Sequence, residues 1–485
     1  MSRNDGNETT DSDGENRRRF LKVLGGLGVV GLAGCGGDGG ETDSPTATAT
    51  DTATSTTAGD TPTDTVSPTD ATTTTGDTPT GTTTTDTPTP TATATATPRE
   101  PQFVSMYDGG SIEDSHWHQV NGQATYETRD GNTIVGISSS SGPNSFLSSY
   151  KVYDDFELEF ETWVDPDGLN SGIQVRSHTK QSQQHVHGPQ VELELSGDGG
   201  QIPPGQAGSV YGEGLPTGWM SGGGSAPPAN DAFNNGEWND MRIRVEGDRL
   251  QTWINGTQIE DLDLSQFDID HLMSMGVIAL QVHSIGADGR EVRWRNIRIK
   301  ELDVGEWTRL FNGRNTNGWT NPLDRGTVTA SDGVLELDSD QSFFLLSEDS
   351  YDDFVFETWV NAGAKGGIMF RNPGQNRVSG YRAEIDPTDD AMSGSLYSHS
   401  TGSWLKDISG ESFSQMAFKP DGWNYYRVMA DGESLRVWVN GITTAEVTDD
   451  AQSSGMFGLQ HRGGDGTIQF REMEYKPLGG DGGGM

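Results

Sequence analysis

The chain reads as an all-β protein whose globular part is two β-sandwiches in tandem. Three observations carry that reading: a strand-like stretch occurs twice, Asn-Gly pairs interrupt alternating segments in both halves, and no long helical pattern lies between them. Tyr153-Asp-Asp-Phe-Glu-Leu-Glu-Phe-Glu-Thr-Trp-Val164 is followed by Asn170-Ser-Gly-Ile-Gln-Val-Arg176, and Tyr351-Asp-Asp-Phe-Val-Phe-Glu-Thr-Trp-Val360 by Lys365-Gly-Gly-Ile-Met-Phe-Arg371. Phe156, Leu158 and Phe160 alternate with Glu157, Glu159 and Glu161, the period of a half-buried strand. The first copy carries two extra residues between its YDDF and ETWV halves, and an insertion of two leaves every later side chain on its own face.

Composition divides the 485 residues into two regimes. Residues 17–19 are three arginines, followed by an apolar run from Val23 to Ala33 that is shorter than the ~20 apolar residues needed to span a bilayer. It resembles a twin-arginine export signal, and Leu32-Ala33-Gly34-Cys35 resembles a lipobox, so Cys35 is the expected site of lipidation and the membrane is a partner only through that anchor. Cys35 is the one cysteine in the chain, which excludes a disulfide within the monomer. Glu41 to Thr97 is threonine, proline, aspartate, alanine and serine with almost nothing to bury, the composition of a disordered tether. The expected division is 1–35 signal, 36–100 linker, 101–302 first sandwich, 303–478 second sandwich and 479–485 a glycine-rich tail.

Asp and Glu outnumber Lys and Arg by 72 to 32, a net charge of -40. Such a surface disfavours nucleic acid as a partner. It suits concentrated salt, where repulsion is screened to about 3 Å at 1 M, and points to a halophilic, exported protein.

Landmarks recur in the same order in both units, so that each is expected to fold by itself. Met106-Tyr-Asp-Gly109 with Trp117 matches Leu310-Phe-Asn-Gly313 with Trp319, and Gly188-Pro-Gln-Val-Glu-Leu-Glu194 matches Gly380-Tyr-Arg-Ala-Glu-Ile-Asp386. Trp253-Ile-Asn-Gly256 matches Trp438-Val-Asn-Gly441, and each Asn-Gly supplies the positive φ angles of a type I′ hairpin. The order LFNG, YDDF, NSGI, GPQVE, GEWN, INGT, ALQVH, WRNIRIKEL resembles the 3-keto-disaccharide hydrolase domain family over both units. The resemblance implies a concanavalin-like jelly roll with its ligand on a concave sheet, and a carbohydrate substrate, an oligosaccharide or 3-keto glycoside.

Strand parity selects the polar faces. Val191 and Leu193 point one way and Gln190, Glu192 and Glu194 the other; Gln174 and Arg176 oppose Ile173 and Val175; Gln281 and His283 oppose Leu280 and Val282. Glu192, His283 and Arg176 are therefore the candidate catalytic set, with Gln190, Gln281, Asn170 and Tyr211 as substrate-binding residues. The family chemistry implied is proton abstraction at C2 of a 3-keto sugar and expulsion of the C1 oxygen, with Glu192 or His283 as base or acid and Arg176 at the C3 oxygen. A bound divalent metal is the alternative at that oxygen; His185 and His187, two residues apart on one strand face, are candidate metal ligands in a stretch that also reads as a polar loop. The second-unit counterparts are Arg371, Glu384 and His461. Gly458-Leu-Gln-His461 lacks a residue matching Val282, which puts Gln460 and His461 on opposite faces and favours the first unit as the active one. Trp163, Trp359, Trp253 and Trp438 recur at spacings that suit core packing. A non-catalytic, lectin-like pair of glycan-binding modules is the competing class, since sandwiches host both.

Overall fold

In the strand Phe156–Val164, Phe156, Leu158 and Phe160 are buried while Glu159 and Glu161 are only half-buried, so alternation places one face in a core. The computed structural model describes residues 100–112, 114–193, 205–267, 274–374 and 379–479. The twin-arginine stretch, Cys35, the tether, Glu194 and all but the first residue of the glycine-rich tail lie outside them.

Four antiparallel sheets form two sandwiches, each pairing an eight-stranded with a seven-stranded sheet. In the first sandwich the seven-stranded sheet runs, in spatial order, Gly218–Trp219, Val210–Glu213, Gly188–Glu192, Gly172–Ser177, Val277–Val282, Ser145–Ser149 and Trp117–Asn121. The eight-stranded sheet centres on Asn239–Glu246, Phe156–Val164 and Glu291–Glu301. Between them Leu158, Ile173, Val191, Ile243, Leu280 and Trp294 form the core. The second sandwich repeats the plan, with Gly366–Asn372, Tyr381–Ile385 and Met456–Arg462 in its seven-stranded sheet and Phe354–Ala362, Asn424–Asp431 and Ser434–Val439 in the other. Among the described residues the α-helix is a single turn, Ser412–Gln415.

The Asn-Gly hairpins form as the sequence requires: φ is 49° and 80° at Asn255 and Gly256, and 46° and 79° at Asn440 and Gly441. Each asparagine also ties the turn to the sheet. The Asn255 amide donates to the Ala232 carbonyl and to Asn239 Oδ1, and the Asn440 amide to Ala417 and Asn424 in the same way.

The strand register corrects the position of the two-residue insertion. Thr162 pairs with Asn239 and Phe156 with Val245, just as Val360 pairs with Asn424 and Phe354 with Ala430. Phe156–Val164 and Phe354–Ala362 are thus equivalent residue for residue, and the two Glu-Thr-Trp-Val runs are offset by two. Glu161 stands where Trp359 does. The length difference falls in the loop that follows, before Gly172 and Gly367. An even offset preserves the faces, which is why alternation alone could not reveal it.

The two sandwiches share a buried seam, and their described residues group as one compact unit. Tyr150, Val152, Met275 and Val277 of the first pack against Val355, Tyr425, Met429 and Trp438 of the second. Charges cross the seam as well. Asp154 is paired with both Arg427 and Lys476, Lys476 reaches Asp303 at 2.8 Å, and Lys151 bridges Glu301 at 3.0 Å and Glu357 at 3.1 Å. Arg427 also donates to the Val152 carbonyl at 2.7 Å. Gly441 sits so close that a Cβ there would lie 2.5 Å from the Ser149 carbonyl oxygen. Each sandwich keeps a core of its own, and Val120, Phe146, Val186 and Ala279 of the first also join the hydrophobic cluster of the second.

Candidate functional site

Parity holds at most of the chosen positions. Ile173, Val175, Val191, Leu193, Leu280 and Val282 all enter the first core, so Gln174, Gln190, Glu192 and Gln281 lie on the opposite, outward face of the seven-stranded sheet. Glu192 pairs across with Gly172, and Gln174 with Gln190, which pairs in turn with Tyr211. Gly172 keeps the floor low: a Cβ there would lie 2.5 Å from the Gln190 side chain.

These residues are joined by a directed hydrogen-bond chain. Ser177 Oγ donates to Gln174 Oε1 at 2.7 Å, Gln174 Nε2 to Gln190 Oε1 at 2.6 Å, and Gln190 Nε2 to Glu192 Oε1 at 2.7 Å. Each amide accepts at one end and donates at the other, and the chain ends on the carboxylate. Glu192 is fully buried, as are Gln174 and Gln281. Two buried amides, Asn170 and Gln281, have neither their oxygen nor their nitrogen bonded among the described residues. Buried amide groups without partners are costly unless water or a ligand completes them. His283 closes this end, its backbone N–H donating to the Asn170 carbonyl at 3.3 Å.

Arg176 does not join this set. It has φ of 43°, at an irregularity in the pairing with Val277–Val282, and this turns it off the face that Gln174 occupies. Its guanidinium donates to the Asp154 carbonyl at 2.6 Å and the Gly247 carbonyl at 2.7 Å and is paired with Asp155. Arg371 repeats these bonds with Asp352, Gly432 and Asp353, at φ of 48°. Both arginines fasten one sheet to the loops of the other at the end of a sandwich. Their repetition in the sequence reflects that shared structural duty.

His185 and His187 lie on a hairpin extension of the sheet, with ring centroids 5.9 Å apart, and His178 is 6.3 Å from His187. Burial pushes the His187 imidazole down to about 4. Among the described residues no three His, Cys, Asp or Glu side chains come together in a metal-holding group. The residues present do not fit the divalent metal considered from sequence.

Sequence reasoning missed two contributors, Glu213 and Trp219. A cavity of about 600 Å³ is lined by Asn121, Asn144, Phe146, His185, Glu213 and Ser284 among others. Burial raises the Glu213 carboxyl above its ordinary range, against the pull of Asn144 and His185. The Tyr211 hydroxyl is raised by burial and then by Glu213 and Glu192, so both carboxylates lie within its electrostatic reach. Trp219 stands edge-on to Tyr211 with centroids 5.4 Å apart. The signals were present: Glu213 shares parity with Tyr211, and Trp404 recurs beside Tyr397 in the second unit.

The second sandwich keeps the row and changes its chemistry. Gly367 pairs with Glu384 on one side and Gln460 on the other. Arg382 replaces Gln190, and Met369 replaces Gln174. No residue is missing from the last strand: Phe344 pairs with Gln460 as Phe146 does with Gln281, so His461 is the counterpart of Val282 and Arg462 that of His283. His461 is buried away from the row, accepting from the Gly463 N–H and donating to the Gly466 carbonyl at 3.0 Å each. Arg382 and Arg462 bind Glu384 from both oxygens, at 2.6 and 2.8 Å. Burial pushes the Glu384 carboxyl up, and the two guanidiniums pull against it.

A profile of the 3-keto-alpha-glucoside-1,2-lyase-like domain matches residues 102–300 and again 306–476. Among solved structures, the carbohydrate-binding module CBM66 from Bacillus subtilis is similar at 20% identity and a TM-score of 0.28, over 34% of this chain and 97% of that one. A putative glycosyl hydrolase from Parabacteroides distasonis is also 20% identical, with a TM-score of 0.28 over 36% and 99%. The Bacillus licheniformis beta-glucanase is 11% identical, with 0.26 over 35% and 96%. No curated protein matches the chain.

Proposed function

Because the chain belongs, through both sandwiches, to the family of 3-keto-alpha-glucoside-1,2-lyase-like domains, we propose that it cleaves 3-keto glycosides on the outward face of its first seven-stranded sheet. The family and the jelly-roll fold are carbohydrate-related. The finer reading rests on one observation: a carboxylate held by a chain of neutral amides, beside buried amides whose hydrogen-bonding capacity is unused.

In this reading Glu192 takes the C2 proton. A ketone at C3 acidifies that proton, and the electron pair moves onto the C3 oxygen as an enolate. Donors are needed there, and the Asn170 and Gln281 amides are the candidates, in the role first considered for Arg176. The enolate re-forms its ketone by expelling the C1 oxygen, which takes a proton from an acid. Glu213, whose carboxyl is raised by burial, is the candidate for that step, with His283 as the other. Water then adds at C1 of the enone. Tyr211 and Trp219 offer an aromatic wall to the sugar. The second sandwich, its carboxylate clamped, is read as a binding or structural copy.

The test is to incubate the full chain in molar salt with a 3-keto glucoside in D2O. Aglycone release with deuterium at C2 of the product is expected. Release without deuterium at C2 would replace elimination by direct hydrolysis, and no release would leave the glycan-binding alternative.

Export to the cell surface as a lipoprotein is proposed on the order of Arg17, the apolar run and Cys35. Cys35→Ser should abolish membrane partition or leave a precursor of higher mass; a membrane-bound variant of normal mass would refute the anchor.

A further inference from the structure

The eight-stranded sheets turn equivalent faces to different surroundings. In the second sandwich this face is the seam, where Val355, Tyr425, Met429 and Trp438 are buried. The register makes Glu157, Asp240, Arg244 and Trp253 their counterparts in the first sandwich. There the face is uncovered and holds a cavity of about 850 Å³, lined by Phe103, Glu159, Asp240, Arg242, Trp253 and Arg298 among others. A second cavity of about 290 Å³, lined by Trp238 and Arg295, shares Asn132 and Asn296 with the first, so the two form one cleft.

We propose that this cleft binds a neutral glycan chain, at a site separate from Glu192. Two half-buried indoles line it, Trp253 with Arg242 stacked at 4.3 Å and Trp238 with Arg295 at 3.9 Å. Aromatic faces and edges with planar polar groups beside them suit pyranose rings. The charges on the face are largely spent on one another: Arg242 donates to Glu157 at 2.7 Å, and Arg298 to Glu159 and Arg295 to Glu161 at 2.9 Å. What remains for a ligand is hydrogen bonding without a net charge to neutralise, the chemistry of hydroxyls. A polyanion is opposed by the chain's net charge of -40. An apolar protein partner is opposed by the exchange of Val355, Tyr425 and Met429 for Glu157, Asp240 and Arg244, which removes the groups that seal the equivalent face. The proposal uses the carbohydrate class of the family but not the assignment of Glu192.

The test titrates the full chain in molar salt with maltohexaose, cellohexaose and laminarihexaose, each to about 5 mM, by calorimetry and tryptophan fluorescence. At least one should bind and change the fluorescence. Trp253→Ala should weaken it by about tenfold or more, and Asp240→Ala, which leaves the indole in place, by less. Near-ultraviolet circular dichroism checks that both variants stay folded. Glu192→Gln should bind the hexasaccharide as the parent does, and Trp253→Ala should cleave a 3-keto glucoside as the parent does, which separates failure here from failure of the catalytic reading. No binding of any of the three, binding that survives both cleft variants, or loss of binding in Glu192→Gln would overturn the proposal. A concentration-dependent dimer abolished by Trp253→Ala would assign the face to a second copy of the chain and overturn it too.

Discussion

Glu192 accepts from the neutral amide of Gln190, whereas Glu384, at the equivalent point of the second sandwich, lies between two guanidiniums. Gln190 became Arg382 and His283 became Arg462, or the reverse, and the backbone row of glutamate, glycine and glutamine stayed. An amide orients a carboxylate without bringing a charge to it. Two arginines engage both oxygens with charge-assisted bonds. Arg382 also lies over the Tyr397 ring, 5.0 Å from its centroid. The duplicated scaffolds thus differ in the chemistry of the neighbours around a retained residue.

The largest difference should appear in turnover. Glu192→Gln should reduce release of aglycone from a 3-keto glucoside by about 10² to 10⁴-fold, the usual contribution of a positioned acid or base, while Glu384→Gln changes it little. Equal losses in both would mean the second row is catalytic as well.

The next difference is in stability. Asp154 is buried and paired across the seam, whereas its counterpart Asp352 is exposed. Asp154→Asn leaves Arg427 and Lys476 short of a counter-charge and should cost about 3–5 kcal/mol, read from denaturant midpoints. Asp352→Asn should stay within about 0.5 kcal/mol. Similar midpoints for the two variants would show that the seam carries no such charge coupling.

The smallest is a pH slope. His118 is buried, and desolvation pushes its imidazole down to about 3; its counterpart in the second sandwich is Thr320. With the folded pKa below the unfolded value of about 6.5, only the unfolded chain takes up this proton between those limits. Stability is therefore full above about 6.5 and falls with pH by up to about 1.4 kcal/mol per unit on this account. His118→Gln should reduce the slope between about pH 6 and 4 by roughly that amount, and an unchanged slope would exclude the assignment.

Much of this site could be read from alternation. Gln190, Glu192 and Gln281 were placed on the right face because apolar neighbours on both sides fix the pleat. Arg176 was misplaced because one residue of positive φ breaks the period, and nothing in Ile-Gln-Val-Arg announces it. The repeat was misaligned because Glu-Thr-Trp-Val recurs two residues out of structural register, and a shift of two conserves every face. His461 was matched to His283 by residue type, although strand pairing gives that place to Arg462. The tryptophans were assigned to cores because parity says which residues share a face but not what covers it. Trp253 lies half-buried on the outer face, and Trp438 is buried only by the other sandwich.

The seam joins unlike surfaces: the face of one eight-stranded sheet rests on the end of a seven-stranded one. Head-to-tail contacts of that kind propagate into open arrays when each copy offers both surfaces. Here neither end is left able to propagate. The places of Tyr150, Val152 and Met275 are taken in the second sandwich by Glu348, Ser350 and Ser454, all exposed, and the outer face of the first carries Glu157, Asp240 and Arg244. Each repeat is its own capping repeat on one side. A copy docked on the second sandwich in the same way would meet Glu348, Ser350 and Ser454 where the first sandwich offers Tyr150, Val152 and Met275.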